Sequence, residues 1–354
     1  MSRYPTEPDD HGKPNPIVNA LSNAVAALRA DDDQLALAKA HESLAPKAIE
    51  KLSVAEARMQ PTVADAVRTL LTQRGGSTDP AVLVPGVSSR DIEVHGAEGA
   101  LPARVFTPPG TGPFPVILYF HGGGWVIADK EVYDAGARGL CREAGAVVLS
   151  VDYRQAPEHK FPAAWDDGLA VYGWLLRHAP SLGGDPARIA CAGESAGGNL
   201  ALATAIAARD AGLRLPVHVL SVYPVAQTSL NTESYLENAI AKPLNRAMVE
   251  WFVDKLVRSP DDLHDPRLNL VQADLRGLPP VTIVNARLDP LRSDGAKLED
   301  ALRNADVDVR RESYEGVAHE FFGAAAVLDK ARQAQAFAGT RLRASFGTPG
   351  VHRL

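Results

Sequence analysis

The hexapeptide Gly193-Glu194-Ser195-Ala196-Gly197-Gly198 decides the fold. It follows the apolar run Ala187–Ala192 and precedes the helix-forming stretch Asn199–Ala203, so the expected order is strand, sharp turn and helix. In so tight a turn the central serine takes a strained backbone conformation, and flanking glycines keep side chains out of the contact between strand and helix. A nucleophile elbow requires this context, which exposes Ser195 above the C-terminal edge of a sheet and at the positive end of a helix.

The rest of the chain predicts an α/β protein with a mainly parallel central sheet and helices on both faces. The apolar runs typical of central strands are Val116–Phe120, Ala146–Val151, Ala187–Ala192, Val217–Val222 and Val281–Val284. Helical segments lie between most of them, which favours parallel pairing. Residues 91–95 and 103–106 alternate apolar with polar side chains and predict antiparallel strands. A last strand is predicted over Val307–Tyr314, before a terminal helix starting near Gly323.

Two helical stretches interrupt this alternation and predict a cap. One is an alanine-rich block over residues 17–73, and the other fills the long gap between Tyr223 and Val281 with a probable helix over 246–257. The expected division is residues 1–78 as the N-terminal segment and first part of the cap and 79–227 as the α/β core. Residues 228–260 form the cap insertion, and 261–354 return to the core.

Composition excludes several classes of protein. The 354 residues carry a net charge of −6, which argues against a nucleic-acid or anionic-membrane partner. The two cysteines, Cys141 and Cys191, lie in apolar segments and are expected to be buried thiols. The polar, proline-rich start lacks the apolar region of a signal peptide, and no apolar run is long enough to span a bilayer. A cytoplasmic, soluble protein is expected.

A serine nucleophile needs a base, and the base needs an acid that orients it. In elbow-type hydrolases the chain order is serine, acid, histidine. His319 lies in a loop just after the last predicted strand, whereas the other downstream histidines fit worse: His218, His264 and His352. Asp289 follows directly on the strand from Val281, at the sheet edge where His319 should emerge. It could equally cap the next helix, and both roles are compatible.

Two other carboxylates lie near the right place. Asp294 is placed about a turn and a half into the helix after Asp289, and Glu315 comes only four residues before His319. Both are expected to be solvated charges that do not orient the imidazole.

The glycine-rich segment His121-Gly122-Gly123-Gly124-Trp125 follows the strand Val116–Phe120. Its backbone N–H groups, with that of Ala196, can form an oxyanion hole. A phosphate cradle would need a Gly-Lys-Ser/Thr ending and a helix straight after, and neither is present. The sequence contains no His-x-x-x-His or Cys-x-x-Cys spacing, so no metal site is predicted.

Together these segments resemble the hormone-sensitive-lipase-like (bacterial family IV) carboxylesterases of the α/β-hydrolase fold. The resemblance runs from about Ser53 to Phe346 and rests on the glycine loop, the segment Val151-Asp152-Tyr153-Arg154-Gln155-Ala156-Pro157-Glu158, the elbow, Asp289-Pro290-Leu291-Arg292 and His319. It implies a triad of Ser195, Asp289 and His319.

The resemblance implies further roles around that triad. The oxyanion hole would be formed by the N–H groups of Gly122, Gly123 and Ala196. His121, Gly124 and Glu194 would support the site, and the segment from Tyr153 to Glu158 would brace the glycine loop. The cap would combine N-terminal helices with the insertion Thr228–Arg258.

Three positions depart from the family pattern. Glu194 stands where this branch usually has aspartate, Glu320 replaces the usual glycine after the histidine, and Ser293 stands where an acid is common. None removes a catalytic group, so the departures bear on substrate preference and pH optimum.

The sequence therefore predicts a serine carboxylesterase that hydrolyses short- to medium-chain carboxylic esters without a cofactor. An amidase or peptidase is compatible with the same triad, and a non-catalytic ligand-binding protein would be expected to lack a triad member. The predicted partner is a small-molecule ester, with neither nucleic acid nor membrane. A homodimer is expected through the exposed edge of the last strand.

Overall fold

The central feature of the structure, a computed structural model, is an eight-stranded sheet with strand order β1-β2-β4-β3-β5-β6-β7-β8. The model describes residues 29–347; the start of the predicted N-terminal helical block and His352 lie outside them. The strands are β1 Ser88–His95, β2 Ala100–Thr107, β3 Phe114–Phe120, β4 Val147–Val151, β5 Gly184–Glu194, β6 Val219–Val222, β7 Val281–Leu288 and β8 Val309–Ala318. The first two strands pair antiparallel and β2 is antiparallel to β4, whereas all later pairings are parallel.

Helices cover both faces of this sheet. They are α1 Asp32–Ser43, α2 Val54–Arg58, α3 Val63–Gln73, α4 Pro80–Leu83, α5 Asp134–Ala144, α6 Ala163–His178, α7 Ala196–Asp210, α8 Glu233–Glu237, α9 Arg246–Leu256, α10 Arg292–Asn304 and α11 Asp329–Phe346. Side chains of β3 alternate between two apolar cores: Val116, Leu118 and Phe120 face one, and Ile117 and Tyr119 face the other. The first core contains residues of α6, α7 and α10, and the second contains residues of α1, α3, α5 and α11. The predicted fold class is confirmed.

The C-terminal part of the sheet differs from the prediction in its boundaries. Strand β8 continues to Ala318, four residues beyond the predicted end, because its pairing with β7 resumes after an irregularity and joins Leu288 to Ala318. A short 3₁₀ turn over Phe321–Ala324 then precedes α11, which begins at Asp329 rather than near Gly323. His319 is therefore the first residue after the last strand, and β8 is an edge of the sheet as expected.

The N-terminal helices are tied to the end of β8. Helix α1 packs on α3, and the Asp31 N–H donates to the Gly316 carbonyl at 2.9 Å. The Ala318 N–H donates to the side-chain oxygen of Gln34 at 3.2 Å. The residue before His319 is thus held by α1.

The insertion after β6 contains α8 and α9 and meets the N-terminal segment. Helix α9 contacts the 3₁₀ turn Ile49–Lys51, and both lie on the same side of the molecule as the glycine loop, since Phe252 of α9 fills the space where Gly124 would carry a Cβ. Within the described range 29–347, every helix is too short or too polar to cross a membrane.

Candidate active site

Ser195 lies in the turn between β5 and α7, with φ +58° and ψ −117°, which is rare for a residue with a side chain. Its backbone N–H donates to the Val222 carbonyl at 2.8 Å. A Cβ at Gly193 would overlap the carbonyl of Gly197, and a Cβ at Gly197 would overlap that of Phe120. The close approach of strand and helix therefore requires both glycines, and it holds the serine in the strained turn.

Asp289 follows the last residue of β7 and is fully buried. One carboxylate oxygen, Oδ1, accepts the Leu291 N–H at 2.8 Å, and the other, Oδ2, accepts Nδ1–H of His319 at 2.8 Å. The carboxylate therefore caps the turn into α10 and also contacts the imidazole, so the capping role and the orienting role coexist.

His319 lies between Asp289 and Ser195 and contacts both. Its Nε2 lies 3.0 Å from Oγ of Ser195, and its ring is 5% exposed. Burial by itself would lower the pKa of His319, but the charge and hydrogen bond of Asp289, with the charges of Glu320 and Glu194, raise that pKa above its ordinary value. The three predicted triad residues thus form one hydrogen-bonded row, although 124 positions separate serine from histidine.

The glycine loop follows β3 and turns tightly beside the serine. Gly123 has φ +95°, and a Cβ there would overlap the Ile127 carbonyl. At Gly122 a Cβ would overlap the hydroxyl of Tyr133. The Ala196 N–H stands at the first position of α7, where a helix leaves N–H groups without an intrahelical acceptor.

The segment after β4 contacts the glycine loop at several points. The Tyr153 hydroxyl donates to the His121 carbonyl at 2.9 Å, and its ring stacks on the buried His121 imidazole with centroids 4.4 Å apart. The Ala156 N–H donates to the Trp125 carbonyl at 2.9 Å. These contacts support the bracing role expected for this segment.

Glu158 acts through a residue that the sequence did not single out. Arg58, the last residue of α2, makes two 2.8 Å bonds to the Glu158 carboxylate, and its Nε–H donates to the Val126 carbonyl at 2.9 Å. The arginine thereby links the N-terminal segment to the end of the glycine loop. No local signal marked Arg58, because its partners lie at least 68 positions away.

Two tyrosines that the sequence also left unassigned enclose Glu194. The hydroxyls of Tyr119 and Tyr223 each donate to one oxygen of this fully buried carboxylate. Burial raises the pKa of Glu194 to about 7, although the two tyrosine hydrogen bonds lower it. The ring of Tyr223 also lies against the His319 imidazole, with centroids 4.5 Å apart. Glu194 therefore positions a residue that packs on the proposed base.

The expectation that Asp294 is a solvated charge is wrong. Helix α10 begins at Arg292, so Asp294 lies in its first turn and is fully buried, not solvated. Its carboxylate accepts hydrogen bonds from the N–H groups of Ala226 and Gln227 and from the Gln227 side chain. Burial raises the pKa of Asp294 to about 7. Glu315 is exposed, as expected, and pairs with Arg287 at 3.7 Å.

Ser293 and the other histidines lie outside the row. The Ser293 N–H donates to the Ser234 hydroxyl of α8 at 3.0 Å, which ties α10 to the insertion. His218 is buried between Ser345 and Thr282, and His264 is the last residue of the 3₁₀ turn Pro260–His264, at the end of the insertion.

A cavity of about 870 Å³ opens beside the glycine loop. It is bounded by the N-terminal segment, the loop and the start of α9, and its lining includes Ile49, Arg58, Gly123, Met248 and Glu320. The cavity reaches Gly123 and Glu320, the residue next to His319, whereas Ser195 and His319 are not among its lining residues. Among the side chains of residues 29–347, no group of three His, Cys, Asp or Glu is arranged to hold a metal ion.

Comparisons with known proteins agree on one family. The profile of the alpha/beta hydrolase fold family matches residues 117–323. The chain is 38% identical over 280 residues to carboxylesterase NlhH of Mycobacterium tuberculosis, which covers 77% of this chain and 88% of that protein. It is 33% identical over 248 residues to an ethyl acetate hydrolase of Pseudomonas putida, covering 68% of this chain and 78% of that one.

Solved structures that resemble this chain are also ester hydrolases. An esterase of Pyrobaculum calidifontis superposes with a TM-score of 0.76 at 31% identity, covering 86% of this chain and 97% of that one. An ester hydrolase from the metagenome of Lake Arreo, solved with a bipyridine phosphonate derivative, superposes with a TM-score of 0.77 at 30% identity. That superposition covers 94% of this chain and 99% of the other.

Proposed function

The chain belongs to the hormone-sensitive-lipase-like carboxylesterases of the α/β-hydrolase fold, and we propose that it hydrolyses short- to medium-chain carboxylic esters through an acyl-enzyme on Ser195. The enzyme is a serine carboxylic-ester hydrolase. The observation that carries the proposal is the row in which His319 lies 3.0 Å from Ser195 and 2.8 Å from Asp289.

The proposed first half-reaction is acylation. His319 takes the proton of the Ser195 hydroxyl as its oxygen attacks the ester carbonyl, and it then passes that proton to the leaving alcohol. Asp289 holds Nδ1–H of the imidazole and stabilises the imidazolium as it forms. The raised pKa of His319 favours proton transfer from the serine.

The proposed second half-reaction is deacylation. Water gives a proton to His319 and attacks the acyl carbonyl, after which the proton returns to Ser195 and the carboxylic acid leaves. In both halves the N–H groups of Gly122, Gly123 and Ala196 would receive the negative oxygen of the tetrahedral intermediate. The chemistry proposed here requires no cofactor.

The proposed domain organisation has a helical cap over this site. Residues 1–78 and 228–260 would form the cap, and residues 79–227 and 261–354 would form the core. Contacts of α9 with Ile49–Lys51, and the cavity between these two stretches and the glycine loop, support this division.

Hydrolysis of p-nitrophenyl butyrate tests the proposal directly. We expect turnover that a serine-directed alkyl phosphonate abolishes, with the adduct mapped by mass spectrometry to the peptide containing Ser195. Turnover of the matching p-nitroanilide at a higher rate would favour an amidase. Binding of the ester without turnover would overturn the proposal in favour of a ligand-binding protein.

A homodimer is proposed separately. Strand β8 is an edge of the sheet. Its end, at Gly316 and Ala318, is bonded to the N-terminal segment, so the part that would pair with a second copy of the same strand is the stretch from Val309 up to that end. Light scattering after size exclusion tests it: a mass near twice 37.7 kDa is expected, and a monomer at micromolar concentration would refute it.

A further inference from the structure

Glu320 occupies a backbone conformation that favours glycine. Its φ is +64°, in the left-handed region, where a side chain costs conformational free energy that glycine avoids. The family pattern has glycine at this position. A glutamate retained there motivates a search for what its side chain does.

The side chain of Glu320 is held in one place. Its Oε1 accepts a hydrogen bond from the Tyr133 hydroxyl at 3.0 Å. That hydroxyl in turn occupies the space beside Gly122 where a Cβ would stand. The carboxylate of Glu320 is therefore held beside the glycine loop through Tyr133.

Glu320 also lines two separate cavities. One is the 870 Å³ cavity beside the glycine loop. The other has a volume of about 350 Å³ and is bounded by α3, α4 and the start of α5. Only Val63, Val132 and Glu320 are common to the two linings within the described residues, so these three form the shared wall.

The second cavity has one apolar side. Helix α3 contributes the aliphatic side chains of Val67 and Leu71, and the end of α4 with the residue after it contributes those of Leu83 and Val84. Four of the charged groups in the lining are held in ion pairs: Arg104 pairs with Glu131 and also with Asp91 outside the lining, and Arg138 pairs with Asp134. An alkyl chain that entered would contact the aliphatic side without displacing those pairs.

We propose that the Glu320 side chain, fixed by Tyr133, is the partition that closes the substrate cavity and limits the length of the alkyl chain in the ester. This inference rests on the proposed function, because it takes the cavity beside Gly123 as the substrate site. Glu320 is the longest of the three shared residues and carries the polar group that an alkyl chain would have to desolvate. Without it, the 350 Å³ of the second cavity becomes room for a longer chain.

Three variants separate bulk, charge and backbone strain. Glu320→Gln removes the charge and keeps the length, Glu320→Gly removes the side chain and the strain, and Glu320→Ala removes most of the side chain while keeping a Cβ. The measurement is kcat/KM on p-nitrophenyl butyrate and octanoate, and on butyl and octyl acetate. The first pair varies the acyl part and the second varies the alcohol part.

The expected result is a change in chain-length preference. Each buried methylene strengthens binding by about fourfold, so the octyl-to-butyl ratio of kcat/KM in one of the two series should rise by at least about tenfold in Glu320→Gly and Glu320→Ala. The ratio in Glu320→Gln should stay within about twofold of wild type, because glutamine keeps the wall. Unchanged ratios in both small variants would overturn the proposal, as would an equal rise in Glu320→Gln, which would assign the effect to charge.

A binding measurement keeps this test independent of catalysis. In a Ser195→Ala background, calorimetry with octanamide and butanamide should show an octanamide preference in Glu320→Gly that is absent in Glu320→Gln. Should the wild-type enzyme hydrolyse no ester, the proposed function fails while this comparison still decides the partition. If Glu320→Gly does not fold, Glu320→Ala supplies the same comparison.

Discussion

Gly136 and Glu194 are matched to each other: a Cβ on Gly136 would overlap Oε1 of Glu194. Glu194 stands where this branch usually has aspartate. Its longer side chain places Oε1 in the space that a side chain at Gly136 would occupy. There it meets the hydroxyl of Tyr119, and its other oxygen meets that of Tyr223. Since the ring of Tyr223 packs on His319, a glycine in α5 influences how the imidazole is held.

Gly136→Ala should therefore displace the Glu194 carboxylate. We expect a loss of about 1–3 kcal/mol in the free energy of unfolding, since the added methyl overpacks a closed site. The loss should be smaller when Glu194→Asp is also present, with a coupling free energy of about 0.5–3 kcal/mol in a double-mutant cycle. Urea unfolding of the wild type, the two single variants and the double variant measures this coupling. Gly173→Ala serves as the control and should stabilise the protein, because a Cβ at this helical glycine would meet only Nη1 of Arg177, at an ordinary contact distance of 3.8 Å. Strictly additive effects would show that the two positions are independent.

Ser195→Ala should abolish turnover and leave the fold intact. The expected loss in kcat is on the order of 10⁴- to 10⁶-fold, because the covalent step is removed. Steady-state hydrolysis of p-nitrophenyl butyrate, with circular dichroism as the fold control, measures it. Retention of more than about a tenth of wild-type activity would mean that another residue is the nucleophile.

Asp289→Asn should lower kcat by roughly 10³- to 10⁴-fold, because an amide in place of the carboxylate favours the wrong tautomer of His319. Glu315→Gln is the surface control, with an expected change of less than about tenfold, since its exposed carboxylate pairs only at 3.7 Å. If Glu315→Gln were the crippling change and Asp289→Asn the mild one, the acid would be misassigned.

Asp294→Asn belongs to the same series with a different expected result. Its buried carboxylate accepts three hydrogen bonds, and an amide would leave at least one of those donors unpaired. We expect a stability loss of about 1–3 kcal/mol with kcat reduced less than tenfold. Thermal unfolding and kcat measured on the same sample separate the two effects.

Glu320→Gln should move the acid limb of the kcat/KM profile to lower pH. The negative charge of Glu320 helps to raise the pKa of His319, and a raised pKa keeps the imidazole protonated, and so inactive as a base, up to a higher pH. Removing the charge lets the free base persist to lower pH. Glu315→Gln, whose carboxylate is exposed, is the matched control and should leave the limb in place. If the acid limb of the Glu320→Gln profile did not move, or moved to higher pH, the charge effect would be contradicted.

Gln34→Leu should weaken the support of the histidine loop. The side-chain oxygen of Gln34 accepts the N–H of Ala318, and leucine would leave that buried N–H unpaired at a cost of about 1–3 kcal/mol. We expect a lower melting temperature together with reduced kcat on p-nitrophenyl butyrate. Gln73→Leu, on the exposed side of α3, is the control and should change neither quantity. Equal behaviour of the two variants would place α1 outside the support of the site.

Local patterns in the sequence were sufficient to predict the elbow at Ser195 and the parallel strands of the sheet. The turn at Ser195 could be predicted because its glycines respond to sterics within a few residues, and the structure shows those same glycines closing on neighbouring backbone carbonyls. Continuous apolar runs predicted the parallel strands because such strands are buried on both faces. The chain order serine, acid, histidine then identified Asp289 and His319 as the triad candidates, because the C-terminal ends of parallel strands lie at one edge of the sheet.

Only the tertiary structure decided what surrounds that row. Tyr119 and Tyr223 meet Glu194 across 75 and 29 positions, and Arg58 reaches Glu158 across 100. The burial of Asp294 could not be predicted from the sequence, because it depends on where the loop after β6 packs, which no pattern around residue 294 records. Glu320 could be seen to depart from glycine, but not to stand between two cavities. Hydrophobic periodicity and turn sterics act over a few residues, whereas hydrogen-bond partners, cavities and shifted pKa values depend on groups that only the folded chain brings together.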